Sequence, residues 1–302
     1  MKREGIIIFT FLLSVLSVGM ISAVALTVNK PVTDAIYGSR KLVADLESDV
    51  EATFYYKHDV FGTRGWTRLC RRTTECQRRI RVREGENLVS FKVVDIDGNA
   101  DFVYDIPFKI DSRKPRILTM LPRRNKYTNG DYFMVKYNED NLQEVVFYYG
   151  TTIDMRQISR TDCDSGRFME CLFENVDLTD FEGQKIKYWF SLRDEVRTVE
   201  SRRKTIVKVD TTLPELVSFD WEVQRNNRVS FIFEVKEDNF DEIVYFDKSE
   251  LDPKWKRLCS SIRDGSCNRK VRFTKGTHIL DIKMSDKAGN SIMIATDEVI
   301  VV

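Results

Sequence analysis

The chain has 302 residues, 42% of them hydrophobic and 31% charged, and a net charge of +1. That length holds two or three domains. The composition supports packed cores rather than disorder, and the near-zero charge argues against a general nucleic-acid binder. Only two histidines occur, His58 and His278, and no HExxH, GxSxG, P-loop or GxGxxG pattern is present. No catalytic, cofactor-binding or metal-ligating residue is therefore assigned, no cofactor is expected, and the expectation is a protein that is not an enzyme.

The chain opens with "MKREG", in which Lys2, Arg3 and Glu4 precede an apolar run from Ile6 to about Leu26. The run ends in Ala23-Val24-Ala25, the small-residue pattern of a cleavage site. Three readings fit residues 1–26. The favoured one is a cleaved secretory signal. The second is an uncleaved anchor, because about 20 apolar residues span a bilayer. The third is a prepilin-like leader cut after Gly5 with the helix retained, although the acidic residue usual early in such a helix is missing. All three place the rest of the chain outside the cytoplasm.

In the next stretch, "WTRLC" at Trp66–Cys70 leads into a basic loop. Arg64, Arg68, Arg71, Arg72, Arg78, Arg79, Arg81 and Arg83 stand there against Glu75 alone. Arginines on a rigid loop grip phosphate, sulfate or carboxylate groups, so Arg68, Arg71, Arg72, Arg78 and Arg79 are the candidate anion-binding residues. The competing reading, and the favoured one, is that the charges fill outward strand positions and blunt an edge. Val89, Phe91 and Val93 then alternate with polar or smaller residues, the period of a half-buried strand, and run into "DIDGNAD" at Asp95–Asp101. Oxygen side chains at every second position imitate a calcium loop. The glycine, however, falls at the fourth position rather than the sixth, so a Gly-Asn turn is the better reading.

"KIDSRKP" at Lys109–Pro115 recurs as "KVDTTLP" at Lys208–Pro214. "EDNLQEVVFY" from Glu139 recurs as "EDNFDEIVYF" from Glu237, and "WTRLC" recurs as "WKRLC" at Trp255–Cys259. Phe133, Val135 and Tyr137 match Phe231, Phe233 and Val235. Tyr188, Phe190 and Leu192, and again Leu280, Ile282 and Met284, repeat the inward face of the first copy. The repeat divides the chain into units 27–112, 113–211 and 212–302, each near the size of a β-sandwich domain. The predicted fold class is all-β, three tandem sandwiches of antiparallel strands. The acidic trios Glu139-Asp140-Asn141 and Glu237-Asp238-Asn239 read as polar loops between strands rather than as metal sites. Trp66 and Trp255 read as packing on their loops rather than as sugar platforms.

Six cysteines fall as one local pair per unit: Cys70/Cys76, Cys163/Cys171 and Cys259/Cys267. In an exported chain an even, repeated set reads as disulfides, each clamping the arms of one hairpin or loop and leaving that loop to decorate the sandwich as a recognition tip. Closing a loop of about eight residues contributes roughly 2.5 kcal/mol. There is no N-x-S/T sequon.

A strand, a "D-x-x-G-N" turn, a last strand and then "I/V-D-x-x-x-P" resembles the tandem Ig-like repeats of bacterial and archaeal surface proteins. The resemblance rests on Asp95, Gly98, Asn99, Asp286, Gly289, Asn290 and the Asp111–Pro115 and Asp210–Pro214 junctions. The middle unit departs, with Asp194-Glu195-Val196 in place of the Gly-Asn turn. The resemblance implies an adhesive, spacer or binding role and no activity. Short junctions predict a stiff rod on the order of 100–120 Å. The expected partner is an extracellular protein or an anionic glycan or polymer, with the membrane engaged through the N-terminal segment if it is uncleaved, and not nucleic acid. A pilin-like filament subunit and a secreted enzyme's accessory or carbohydrate-binding module are the alternatives.

Overall fold

The computed structural model describes residues 24–58 and 65–302. The leader through residue 23, and Arg64 of the basic loop, lie outside the described residues. The chain folds as two compact units, one ending at Ser112 and one running from Arg113 to Val302. Nearly all regular structure is β-strand.

The first unit comprises β1 (Leu26–Lys30), β2 (Ile36–Tyr37), β3 (Lys41–His58), β4 (Thr67–Arg81), β5 (Gly85–Asp95) and β6 (Ala100–Ile110). Strand order is β1-β3-β5-β6-β2, with β4 along β3. The 18-residue β3 is too long for one layer. Asp45 to Ser48 pair with β1, whereas Ala52 to His58 pair with β5. The strand therefore passes from one layer to the other near residues 48–51. Alternation decides which residues go inside: Leu42, Ala44, Leu46, Ala52 and Phe54 are buried on β3, as are Val89, Phe91 and Val93 on β5. Val24 is also buried, and the Ala25 and Leu26 N–H groups donate to Asp49 and Asp101, both at 2.8 Å. The tail of the apolar run thus packs into this sandwich.

The second unit holds two sandwiches. The earlier one pairs a three-stranded sheet with a larger one. The small sheet contains β7 (Arg116–Leu121), β9 (Tyr132–Glu139) and β12 (Gly166–Glu174). The large sheet contains β8 (Tyr127–Thr128), β10 (Glu144–Gly150), β11 (Met155–Arg160), β13 (Lys185–Arg193), β14 (Thr198–Glu200) and β15 (Thr205–Val209). Its core is aromatic. Phe133 and Phe147 centroids lie 4.5 Å apart, Phe147 and Phe190 5.1 Å apart, and Phe133 and Tyr188 5.1 Å apart.

The later sandwich pairs β16 (Glu215–Gln224), β17 (Arg228–Lys236) and β20 (Ser266–Arg272) with β18 (Phe240–Asp247), β19 (Trp255–Cys259), β21 (Thr277–Asp286) and β22 (Ser291–Val301). The repeat explains how it relates to the others. β9 and β10, or β17 and β18, are the two halves of β3, cut by the acidic trio. β11 and β12, or β19 and β20, are the halves of β4. In the first unit the same corners are absorbed as bulges within continuous strands. All nine inward residues read from the repeat at Val89, Tyr188, Leu280 and their period-two successors have 0% exposure.

Candidate functional site: an arginine-lined edge and an acidic junction

The cysteines pair as Cys70–Cys76, Cys163–Cys171 and Cys259–Cys267, with Cα separations of 5.8, 5.5 and 6.4 Å. These separations are within the range a disulfide requires. Their place differs from a clamp on a decorating hairpin. Cys259 ends β19 in one sheet and Cys267 sits on β20 in the other, and Cys163 and Cys171 flank the equivalent crossover. Cys70 and Cys76 lie on the single strand β4, across its bulge. Cys76, Cys171, Cys259 and Cys267 are buried in the three cores. The second and third bonds therefore staple the point where the chain changes sheets, the first spans the bulge of β4, and the loop each closes is part of the sandwich rather than a tip outside it. The short sequence separation was legible, but the change of sheet within it was not.

The five candidate arginines, Arg68, Arg71, Arg72, Arg78 and Arg79, are all exposed on β4. β4 pairs only with β3, so it is an edge strand. Arg72 sits at φ 49° at the corner, between the two stretches that pair with β3. Among the described residues none of these five guanidiniums has an ion pair. This arrangement serves both sequence readings at once: a charged edge discourages strand addition, and a row of unpaired guanidiniums attracts anions.

Each tryptophan of the repeated motif lies on an outer sheet face. The Trp66 ring is 6.0 Å from Phe102 and 6.5 Å from Tyr104, with the Lys92 ammonium 5.2 Å from its centroid. Trp255 repeats this with Phe246 at 5.4 Å and Lys283 at 5.0 Å. The middle sandwich, which lacks the motif, builds the same contact from Trp189, Tyr148 and Lys204. The two histidines are structural. His58 Nε2 lies 3.1 Å from Asn87 Oδ1, and His278 Nδ1 lies 2.6 Å from Asp247 Oδ2, both pairs buried.

"DIDGNAD" is a turn. Asp95 Oδ1 accepts the Asp97 and Asn99 N–H groups at 2.9 and 2.8 Å, and Oδ2 accepts Asn99 Nδ2 at 2.7 Å. These bonds hold the Asp95 carboxyl below its usual range, the Asn99 side chain first among them. Gly98 has φ +90°, open to glycine at little cost. Asp286 organises the third copy in the same way, accepting from Ala288, Gly289 and Asn290 at 2.8–2.9 Å. The middle copy keeps the aspartate and shortens the turn. The Asp194 N–H donates to Arg197 O, three residues on, where the Asp95 and Asp286 N–H groups reach four residues on. The shorter turn contains no left-handed residue, which is why it dispenses with Gly-Asn.

The second feature is a junction whose acids come from three separate repeated motifs, brought together only by folding. Asp210 follows β15, Glu237 follows β17 and Asp286 ends β21, so the chain segments that meet belong to both sandwiches of the second unit. One carboxylate oxygen from each lies within 4.8 Å of the others. Asp210 O accepts Asn290 Nδ2 at 2.9 Å, and the Asn239 amide donates to Asp210 Oδ2. Thr211 and Thr212 are tied in turn to Glu182. Ionised carboxylates this close repel by about 3 kcal/mol per pair at an effective dielectric near 20. Among the described residues no Lys or Arg forms an ion pair with any of the three. Burial, reinforced by the charges of Asp286, Asp210 and Asp238, pushes the Glu237 carboxyl up. Burial, reinforced by Asp210, does the same for Asp286 against the pull of its turn hydrogen bonds.

No protein-family model matches the sequence, and no curated protein matches it. Some solved structures align with the chain over much of its length, weakly in geometry. The FN1 to FN3 domains of chicken CNTN1 align over 90% of this chain and 98% of theirs at 10% identity, with a TM-score of 0.42. A three-domain fragment of the titin I-band aligns over 89% and 96% at 13% identity, TM-score 0.39. The fibronectin(III)-like modules of Clostridium thermocellum CbhA align over 62% and 94% at 13% identity, TM-score 0.30. Likeness this weak assigns nothing to this chain. The chain is an all-β protein of tandem β-sandwiches, as its own strand order shows.

Proposed function

We propose that the chain is an exported structural or adhesive protein of the cell surface, whose tandem sandwiches hold an anion-recognising edge on the first of them. The observation that carries this reading is the repeated disulfide, one in each sandwich. Such bonds are characteristic of oxidising compartments and rare in a reducing cytosol, and tandem disulfide-stapled sandwiches fit a load-bearing or adhesive extracellular role. The role is non-catalytic. The row Arg68, Arg71, Arg72, Arg78 and Arg79 supplies the recognition chemistry, and a sulfated, phosphorylated or carboxylated polymer, or an acidic protein face, supplies the complement.

The partner half of this reading is tested by binding to a heparin column at 0.15 M salt. Exposed charge contacts contribute about 0.2–1 kcal/mol each. Replacing Arg71, Arg72, Arg78 and Arg79 by Ala should then weaken binding about 10-fold or more while leaving the melting temperature unchanged. Unchanged retention of the quadruple variant would remove β4 as the binding edge.

A further inference from the structure

The acidic junction of the second unit is built like a site rather than a solvated face. Three carboxylates converge from three chain segments. In a calcium site, oxygens on opposite sides of the ion stand about 4.6–5.2 Å apart, twice the metal–oxygen distance. The oxygens of Asp210, Glu237 and Asp286 all lie within 4.8 Å of one another, inside the largest separation that two ligands of one calcium allow. A second, independent observation points at the same place. Asn239 is 3% exposed, its amide head lies against the Asp210 carboxylate, and its Oδ1 is buried with no hydrogen-bond partner. A buried, unpaired amide oxygen is costly unless something accepts its lone pairs, and a cation does.

We infer that Asp210, Glu237 and Asp286, with the Asn239 amide oxygen, form a divalent-cation site that fastens the two sandwiches of the second unit together. The ligands are hard oxygens, which excludes the softer metals that prefer thiolate and imidazole. Carboxylates on loops and strand ends, in an irregular set with room for water, suit calcium better than magnesium, which demands a near-ideal octahedron. Asp210 is held on the earlier sandwich through its N–H bond to Thr128 O at 3.0 Å, whereas Glu237, Asn239 and Asp286 belong to the later one. Filling the site therefore removes freedom between the two sandwiches. The sequence trio Glu237-Asp238-Asn239, read as a polar loop, supplies half of the set. The other half comes from residues 27 positions before Glu237 and 49 after it, which no local pattern connects.

The test is calorimetric titration of calcium chloride into the full chain stripped with EGTA, repeated with Glu237→Gln and Asp210→Asn. Binding is expected in the range of extracellular modules, a Kd of about 10⁻⁴–10⁻³ M, with magnesium weaker. Each variant should lose one equivalent or at least 10-fold in affinity. Thermal melts in EGTA keep the result interpretable. Removing an uncompensated charge should leave the variants as stable as the parent or more so, whereas calcium should raise the melting temperature of the parent alone. No calcium-dependent heat up to 10 mM, equal affinity for magnesium, or unchanged stoichiometry and affinity in both variants would overturn the inference.

Discussion

Buried tyrosine hydroxyls show how single residues set the conditions under which this fold survives. Tyr137 has 0% exposure and donates its hydroxyl to Asp164 O at 2.6 Å. Burial, with the Asp164 charge second, pushes its pKa up to about 12, from an unfolded value near 10. The neutral form is thus favoured in the folded state. That stability is complete below pH 10 and is lost as pH rises from 10 towards 12. Tyr188 is displaced in the same direction, again by burial first. Ultraviolet titration should find a buried subset of the tyrosines, Tyr137 and Tyr188 among them, that ionises late, and Tyr137→Phe should flatten the fall of stability between pH 10 and 12 by about 2 kcal/mol. Phe147 tests packing at the same scale. Its ring contacts Phe133, Tyr149, Phe173, Tyr188 and Phe190, so Phe147→Ala should cost about 3–5 kcal/mol in a denaturant titration.

At the scale of elements, strand faces were legible because a half-buried strand has period two and the repeat supplied three readings of each face. Val89, Phe190 and Met284 came out buried for that reason. The turns were legible through Asp95 and Asp286, whose side chains cap their own backbones. Continuity was not legible. Nothing local distinguishes the continuous β3 from the interrupted β9 and β10, because a bulge and a corner differ only in how many residues are left unpaired. Nor did cysteine spacing show that the chain changes sheets between Cys259 and Cys267, since the crossover takes only six residues. Stapling such a crossover gives a direct prediction. Replacing Cys259 and Cys267 together by Ala should lower stability by roughly 2.5 kcal/mol, read in denaturant without reductant. Glycine placement gives another. At Gly130, φ is +94° and an added Cβ would stand 2.1 Å from Val176 O. Gly130→Ala should be strongly destabilising, whereas Gly183→Ala, with nothing within 4 Å, should carry only the backbone strain of its φ of +71°.

For the whole molecule, the repeat distributes roles unevenly over one scaffold. The first sandwich carries the exposed arginines, the middle one an aromatic core and a shortened turn, and the last supplies most of the acidic junction. The copies of this fold therefore differ in the charge they carry at edges and in the length of their turns. Sequence reasoning located the arginine edge because its residues are adjacent in the chain. It missed the junction because Asp210, Glu237 and Asp286 converge only after the strands are folded. The central claim is an exported chain whose three sandwiches are each stapled by one disulfide. Its most direct test is intact mass without reductant, with peptide mapping, on protein from the native host. The account predicts six missing hydrogens and the three local pairs Cys70–Cys76, Cys163–Cys171 and Cys259–Cys267. Free thiols throughout, or pairs between different sandwiches, would contradict it.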